Sequence, residues 1–152
     1  MPVPRAIVDV LNSLLEAEHE SLFRFMREGS PYLGRASVEV RKAVDYVAAA
    51  DFRRGGELYE AIERLGGDPR PPAPQPADQF LAYLSLRFLL PKLIEDKALL
   101  MQRYRNAIAA VGKLPAGDGA VVSTTELLKR HLSEHAGETV ILQQAADEVA
   151  KG

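Results

Sequence analysis

Apolar residues recur at three- and four-residue steps along four long stretches of this chain, with no convincing period-two alternation. A helix repeats every 3.6 residues, so this spacing gathers apolar side chains on one face. From about Pro4 to Arg27 the stripe is Ile7, Leu11, Leu14, Leu22 and Phe25, and Pro4 suits a first helical turn. "GSPYLG" breaks the chain. A second run, about Ser37 to Leu65, carries Val40, Val44, Val47, Leu58, Ile62 and Leu65 and stops at "GGDP". The third, about Gln79 to Val111, carries Leu90, Ile94, Met101, Tyr104 and Ile108, with Pro91 expected to kink it. After the loop "GKLPAGDGA", the capping-box pattern "STTE" at Ser123–Glu126 is expected to open the fourth helix. That helix continues to about Val149 through Leu128, Leu132 and Leu142.

The connection between the second and third helices is proline-rich: residues 68–77 read "DPRPPAPQPA". Polyproline II extends ~3.1 Å per residue, so this segment reaches on the order of 30 Å. That is long enough to carry the chain along a bundle and start the next helix, capped by Asp78, at the far end. The expected fold is all-α: one domain over residues 1–152, an antiparallel four-helix bundle with a long crossover between helices two and three.

Cysteine is absent, so disulfides, thiolate metal sites and cysteine nucleophiles are excluded. The net charge of −2 carries no broad footprint for nucleic acid. The first residues, "MPVPRAIVDVLNSLLEAEH", keep helical periodicity with Asp9 inside it and do not read as a signal peptide. The most apolar window, "FLAYLSLRFLLPKLI", contains Arg87, Pro91 and Lys92 and is too short to span a bilayer. A cytoplasmic protein without membrane or nucleic-acid partners is expected.

Ionisable residues interrupt the apolar stripes. On the first helix the stripe passes through Glu18, whereas Glu16, His19 and Glu20 point to solvent. On the second it passes through Asp51, with Arg54 one turn on. On the fourth it passes through His135, with His131 a turn before and Glu138 a turn after. On the third, Glu95 lies at the edge and Lys97 nearer the centre, and the register is open between them. An unpaired buried charge costs several kcal/mol. Charges from four helices at one depth therefore have to compensate one another, either around a metal or through direct ion pairs.

Four segments carry a resemblance. "LNSLLEAE" (Leu11–Glu18), "ELYEAIERLGGDP" (Glu57–Pro69), "EDKALLMQRYRNAI" (Glu95–Ile108) and "LLKRHLSEHAGE" (Leu127–Glu138) are similar to the helices of bacterioferritin- and rubrerythrin-like proteins of the ferritin-like superfamily. The resemblance covers nearly the whole chain as helix pattern and implies the ferritin-like bundle. It places metal-ligand positions at Glu18, Asp51, Glu95 or Lys97, and His135, and implies iron or manganese where the site is intact. Two positions depart from the pattern: Arg54 stands where a histidine is expected, and Leu132 where a glutamate is expected. His131 and Glu138 are on the face to substitute.

Two readings follow. In one, the site is degenerate: Arg54, which cannot ligate a metal, bridges Glu18 and Asp51, and the chain is a structural or interaction protein, a homodimer. In the other, Glu18, Asp51, Glu95, His131, His135 and Glu138 hold iron or manganese in an oxidoreductase or metal-handling protein. Tyr46 and Tyr104 read as core tyrosines. The glycines of "DFRRGG" (Asp51–Gly56) read as allowing close helix packing, or as loosening the helix opposite Glu18, rather than cradling a phosphate. No serine–histidine–acid arrangement, phosphate loop or nucleotide fingerprint is present.

Overall fold

The computed structural model describes residues 2–20, 38–70 and 86–151 (Leu86 in its backbone only), and these contain four helices and no strand. The helices are α1 (Val3–His19), α2 (Val38–Arg64), α3 (Leu86–Val111) and α4 (Gly119–Lys151). The expected continuation of the first helix past residue 20, the start of the third before Leu86, and the Asp78 cap all lie outside the described residues. No helix among the described residues is long and apolar enough to cross a membrane.

Local chemistry explains most helix ends. Proline occupies the first turn of α1, where its missing N–H has no helical partner to lose. At the end of α2, Gly66 takes φ +77°. Its N–H donates to the Glu63 carbonyl at 3.0 Å, and Gly67 donates to the Ile62 carbonyl at 3.0 Å. This is the Schellman arrangement that satisfies the last carbonyls of a helix. Gly67 also lies so close to α1 that a Cβ there would sit 2.6 Å from Val8 Cγ1. Just beyond, the buried Asn12 of α1 holds the departing chain. Its amide donates to the Asp68 carbonyl at 3.1 Å and its oxygen accepts from Arg70 N–H at 2.8 Å.

The fourth helix starts earlier than its capping-box pattern indicated. Asp118 caps it, Oδ1 accepting from the N–H groups of Ala120 at 2.8 Å and Val121 at 3.3 Å. Ser123 is already inside the helix, its hydroxyl turned back to the Ala120 carbonyl. An aspartate ahead of Gly119 supplies the same capping oxygen one turn sooner and is favoured by the helix dipole. On α3 the helical backbone continues through Pro91.

Among the described residues two apolar cores result. One joins Ile7, Leu11, Leu14 and Leu15 of α1 to Leu58 and Ile62 of α2, Leu100, Tyr104 and Val111 of α3, and Val121 and Leu128 of α4. The other joins Val40, Val44 and Val47 of α2 to Leu89, Leu90 and Leu93 of α3 and Leu142 of α4. On α2, α3 and α4 the buried positions between these two sets are Asp51, Arg54, Lys97, His131, His135 and Glu138, all charged or imidazole-bearing. The polar layer therefore divides the core in two.

Tyr46 and the glycines behave otherwise than the sequence indicated. Tyr46 is 61% exposed, on the solvent side of α2, whereas Tyr104 is fully buried. Gly55 and Gly56 face open space: a Cβ at either would meet no described atom within 4 Å, so no close helix approach requires them.

Candidate functional site

Glu18 from α1, Asp51 and Arg54 from α2, Lys97 and Tyr104 from α3, and His131, His135 and Glu138 from α4 are all buried and meet in this layer. Each stands on the core face of its helix, because the same three- and four-residue spacing that places the flanking leucines and valines inside also places these.

The two cations organise the site. Arg54 donates to Asp51 Oδ1, and to Glu138 through Nη1 at 2.6 Å and Nη2 at 2.5 Å, a two-pronged contact on that carboxylate. Lys97 Nζ lies 2.7 Å from Asp51 Oδ1, 2.8 Å from Glu138 Oε1 and 2.8 Å from His135 Nδ1. Three ammonium protons thus meet three acceptors, which makes His135 Nδ1 an acceptor and leaves Nε2 to carry the ring proton. That Nε2 donates to Glu18 Oε1 at 3.0 Å. Glu18 Oε1 also pairs with the Tyr104 hydroxyl at 2.7 Å, and Tyr104 meets His131 Nδ1 at 3.1 Å. Glu18 Oε2 and Arg54 Nε have no hydrogen-bond partner among the described residues.

A rim of half-buried acids and exposed arginines flanks one side. His131 Nε2 lies 3.2 Å from Glu57 Oε1. Glu57 is held by Arg53 at 2.6 Å and Arg130 at 2.7 Å, and Glu134 bridges Arg53 at 2.7 Å to Arg54 at 3.2 Å.

Burial governs the charge states. Loss of water pushes the His131 pKa down to about 4 and the His135 pKa down to about 3, the latter with Lys97 and Arg54 adding repulsion. Burial pushes Glu18 above the usual carboxylate range, against the pull of Arg54. It also raises Tyr104 well above the ordinary phenol value, Glu18 adding to the effect. For Arg54, burial works against the charge, but the Glu138 and Asp51 carboxylates more than offset it and the guanidinium stays protonated. Glu57 is partly desolvated, yet its Arg130 hydrogen bond and neighbouring charges bring it below the usual range.

The register left open on the third helix falls to Lys97. Glu95 is exposed and takes no part in the layer. The other five candidate ligands, Glu18, Asp51, His131, His135 and Glu138, do converge. The expected bridge by Arg54 takes a different form: its hydrogen bonds go to Asp51, Glu138 and Glu134, and Glu18 stands 3.9 Å from Nε. His19 is half-buried rather than exposed. The rim of Arg53, Glu57, Arg130 and Glu134 escaped the sequence reading. Its signal was the spacing, since Glu57 follows Arg54 by three and Glu134 precedes Glu138 by four on the margins of two core-facing stripes.

Does this donor set fit a metal? Donor atoms of Glu18, Asp51 and His135 lie within 4.8 Å of one another, a suitable size. Their charge environment is not suitable. Metal–ligand bonds to oxygen or nitrogen are about 2.0–2.3 Å. An ion held by Asp51 Oδ1, Glu138 Oε1 and His135 Nδ1 would compete with the Lys97 ammonium for the same three atoms. Arg54, a permanent cation that cannot ligate, would remain beside it. A metal ion held here would share the layer with two protein cations, Lys97 and Arg54. Compared with protein-family models, curated proteins and solved structures, the chain matches none.

Proposed function

We propose that this chain is a ferritin-like bundle in which a salt-bridge layer stands where a dimetal centre would be, and that it acts as a structural or interaction protein rather than a redox metalloprotein. The observation that carries this reading is the Lys97 ammonium, seated 2.7–2.8 Å from three would-be ligand atoms. The layer has a physical task in such a protein. Slipping any helix by one turn would move its charge into one of the flanking apolar cores, so the layer specifies register at a cost in desolvation.

The same reading takes the helices as antiparallel with a crossover. Supporting it, the first halves of α2 and α3 share one core and their second halves share the other. Two helices running in the same direction are what a crossover between them requires. The reading also takes the chain as a single cytoplasmic domain that forms a homodimer. Its support for self-association is the exposed Phe52 and Tyr59, seven residues apart on one side of α2. Sedimentation of the purified chain at twice its monomer mass is expected, and a monomer at every concentration would overturn that part.

The metal question is decided separately. Protein purified without chelator and analysed for iron, manganese and other divalent metals is expected to carry far less than one ion per chain. One retained equivalent would overturn the salt-bridge reading.

A further inference from the structure

Three hydrogen bonds join the rim carboxylate Glu57 to the buried carboxylate Glu18. Glu57 Oε1 meets His131 Nε2 at 3.2 Å, His131 Nδ1 meets the Tyr104 hydroxyl at 3.1 Å, and that hydroxyl meets Glu18 Oε1 at 2.7 Å. Every hydrogen bond contains one proton. A neutral imidazole brings one, a phenol brings one, and ionised carboxylates bring none. Two protons do not make three bonds, so closing all three requires one more.

That proton has three seats. On Glu57, His131 carries its ring proton on Nδ1 and donates to Tyr104, which donates to Glu18. On His131, both ring nitrogens donate outward. On Glu18, the acid donates to the Tyr104 oxygen, Tyr104 donates to His131 Nδ1, and Nε2–H donates to Glu57. Geometry favours the last. The Glu18 side chain is 1% exposed, and Arg54, spent on Asp51 and Glu138, stands 3.9 Å off. Glu57 is 28% exposed and is held by two guanidinium groups. A neutral Glu18 also balances the layer, leaving Asp51 and Glu138 against Arg54 and Lys97.

We propose that Glu57, His131, Tyr104 and Glu18 form a proton relay, with one shared proton held at Glu18 and exchanged with solvent through Glu57. This rests on the salt-bridge reading, in which Glu18 ligates no metal. The step balances as a bare proton transfer. Glu18 O–H passes its proton to the Tyr104 oxygen, Tyr104 passes its own to His131 Nδ1, and His131 Nε2 passes its own to Glu57. No electrons move. Among the described residues, the groups facing Glu18 are Asp51 and Arg54 from α2, Lys97 and Tyr104 from α3, and His131 and His135 from α4. Those facing Glu57 are Arg53 on its own helix and Arg130 and His131 on α4. The direction of the shifts agrees, with Glu18 raised by burial and Glu57 lowered on balance by Arg130.

Infrared spectroscopy reads the shared proton directly. A protonated carboxyl has its own C=O stretch, which shifts when O–H becomes O–D on transfer to D2O. The expected result at neutral pH is one buried-acid band, absent from Glu18→Gln and exchanging rapidly in the unaltered protein. In Tyr104→Phe, which keeps the ring and loses only the hydroxyl, exchange is expected to slow by at least an order of magnitude. It then has to wait for the helices to open. Glu57→Gln, at the wet rim, should keep the band and slow its exchange likewise, and it decides alone should Tyr104→Phe fail to fold. Equal exchange rates in the variants and the parent overturn the relay. Metal is assayed on the same sample: bound metal without an acid band overturns the salt-bridge reading too, and neither metal nor band overturns the relay alone.

Discussion

Replacing Arg54 with methionine is expected to destabilise the fold by about 3–5 kcal/mol, the range for removing one partner of a buried ion pair. The guanidinium is fully buried and satisfies two buried carboxylates, Asp51 and Glu138, besides reaching Glu134 at the rim. Methionine fills similar volume, so the loss reports the charge left behind rather than a cavity. Lys97 then faces both carboxylates alone. Domain stabilities are about 5–15 kcal/mol, so this variant should unfold at a markedly lower urea concentration. Adding Glu138→Leu restores the balance of one acid, Asp51, against one cation, Lys97. The double variant is therefore expected to be more stable than Arg54→Met alone, a coupling that additive effects would not produce. A loss below about 1 kcal/mol for Arg54→Met, as exposed pairs give, would remove Arg54 from the interior.

The second large effect is on pH. Stability is expected to fall steadily as pH drops from about 6.5 to about 4. His131 and His135 have pKa values lowered from 6.5 to about 4 and about 3 by burial. In this window the unfolded chain binds protons that the folded chain refuses, so each proton added favours unfolding. Full shifts of this size correspond to on the order of 3 kcal/mol for His131 and 5 kcal/mol for His135. Glu18 works in the opposite sense. Its raised pKa contributes stability that is complete below the ordinary carboxylate value and is lost as pH rises through the folded value. Two histidines outweigh one acid, so the net trend is acid lability. Urea midpoints measured across the window should show it, with a shallower slope for His135→Gln. A flat profile in the parent protein would mean that the imidazoles accept protons inside the fold.

How much of this was legible in the chain depends on whether the information was local. Glu18, Asp51 and His135 could be placed inward from their own helices, since each sits in register with leucines and valines one turn away. Lys97 and Glu95 could not be told apart so readily. They stand two residues apart among Leu93, Ile94, Leu99 and Leu100, and apolar residues nearly all round that turn blur the face. The packed bundle resolves this by burying Lys97 and Leu93 and exposing Glu95 and Leu99. Helix ends followed the same division. The glycine stop after α2 was readable, whereas the start of α4 was set by Asp118 rather than by the more obvious Ser123 pattern. Two acceptable capping signals stood five residues apart, and the extra helical turn buries Val121 against the core.

By itself the sequence determined that four amphipathic helices form, where three of them turn polar in the middle of an apolar stripe, and that a thiolate site is impossible. Helical period and residue type suffice for that. Only the tertiary structure decided which opposite charges meet. Arg54 and Glu138 are 84 positions apart, and Lys97 and Asp51 are 46 apart. Whether an acid in such a layer faces a cation or a metal depends on a few ångströms across helices, a distance that spacing along one helix does not contain.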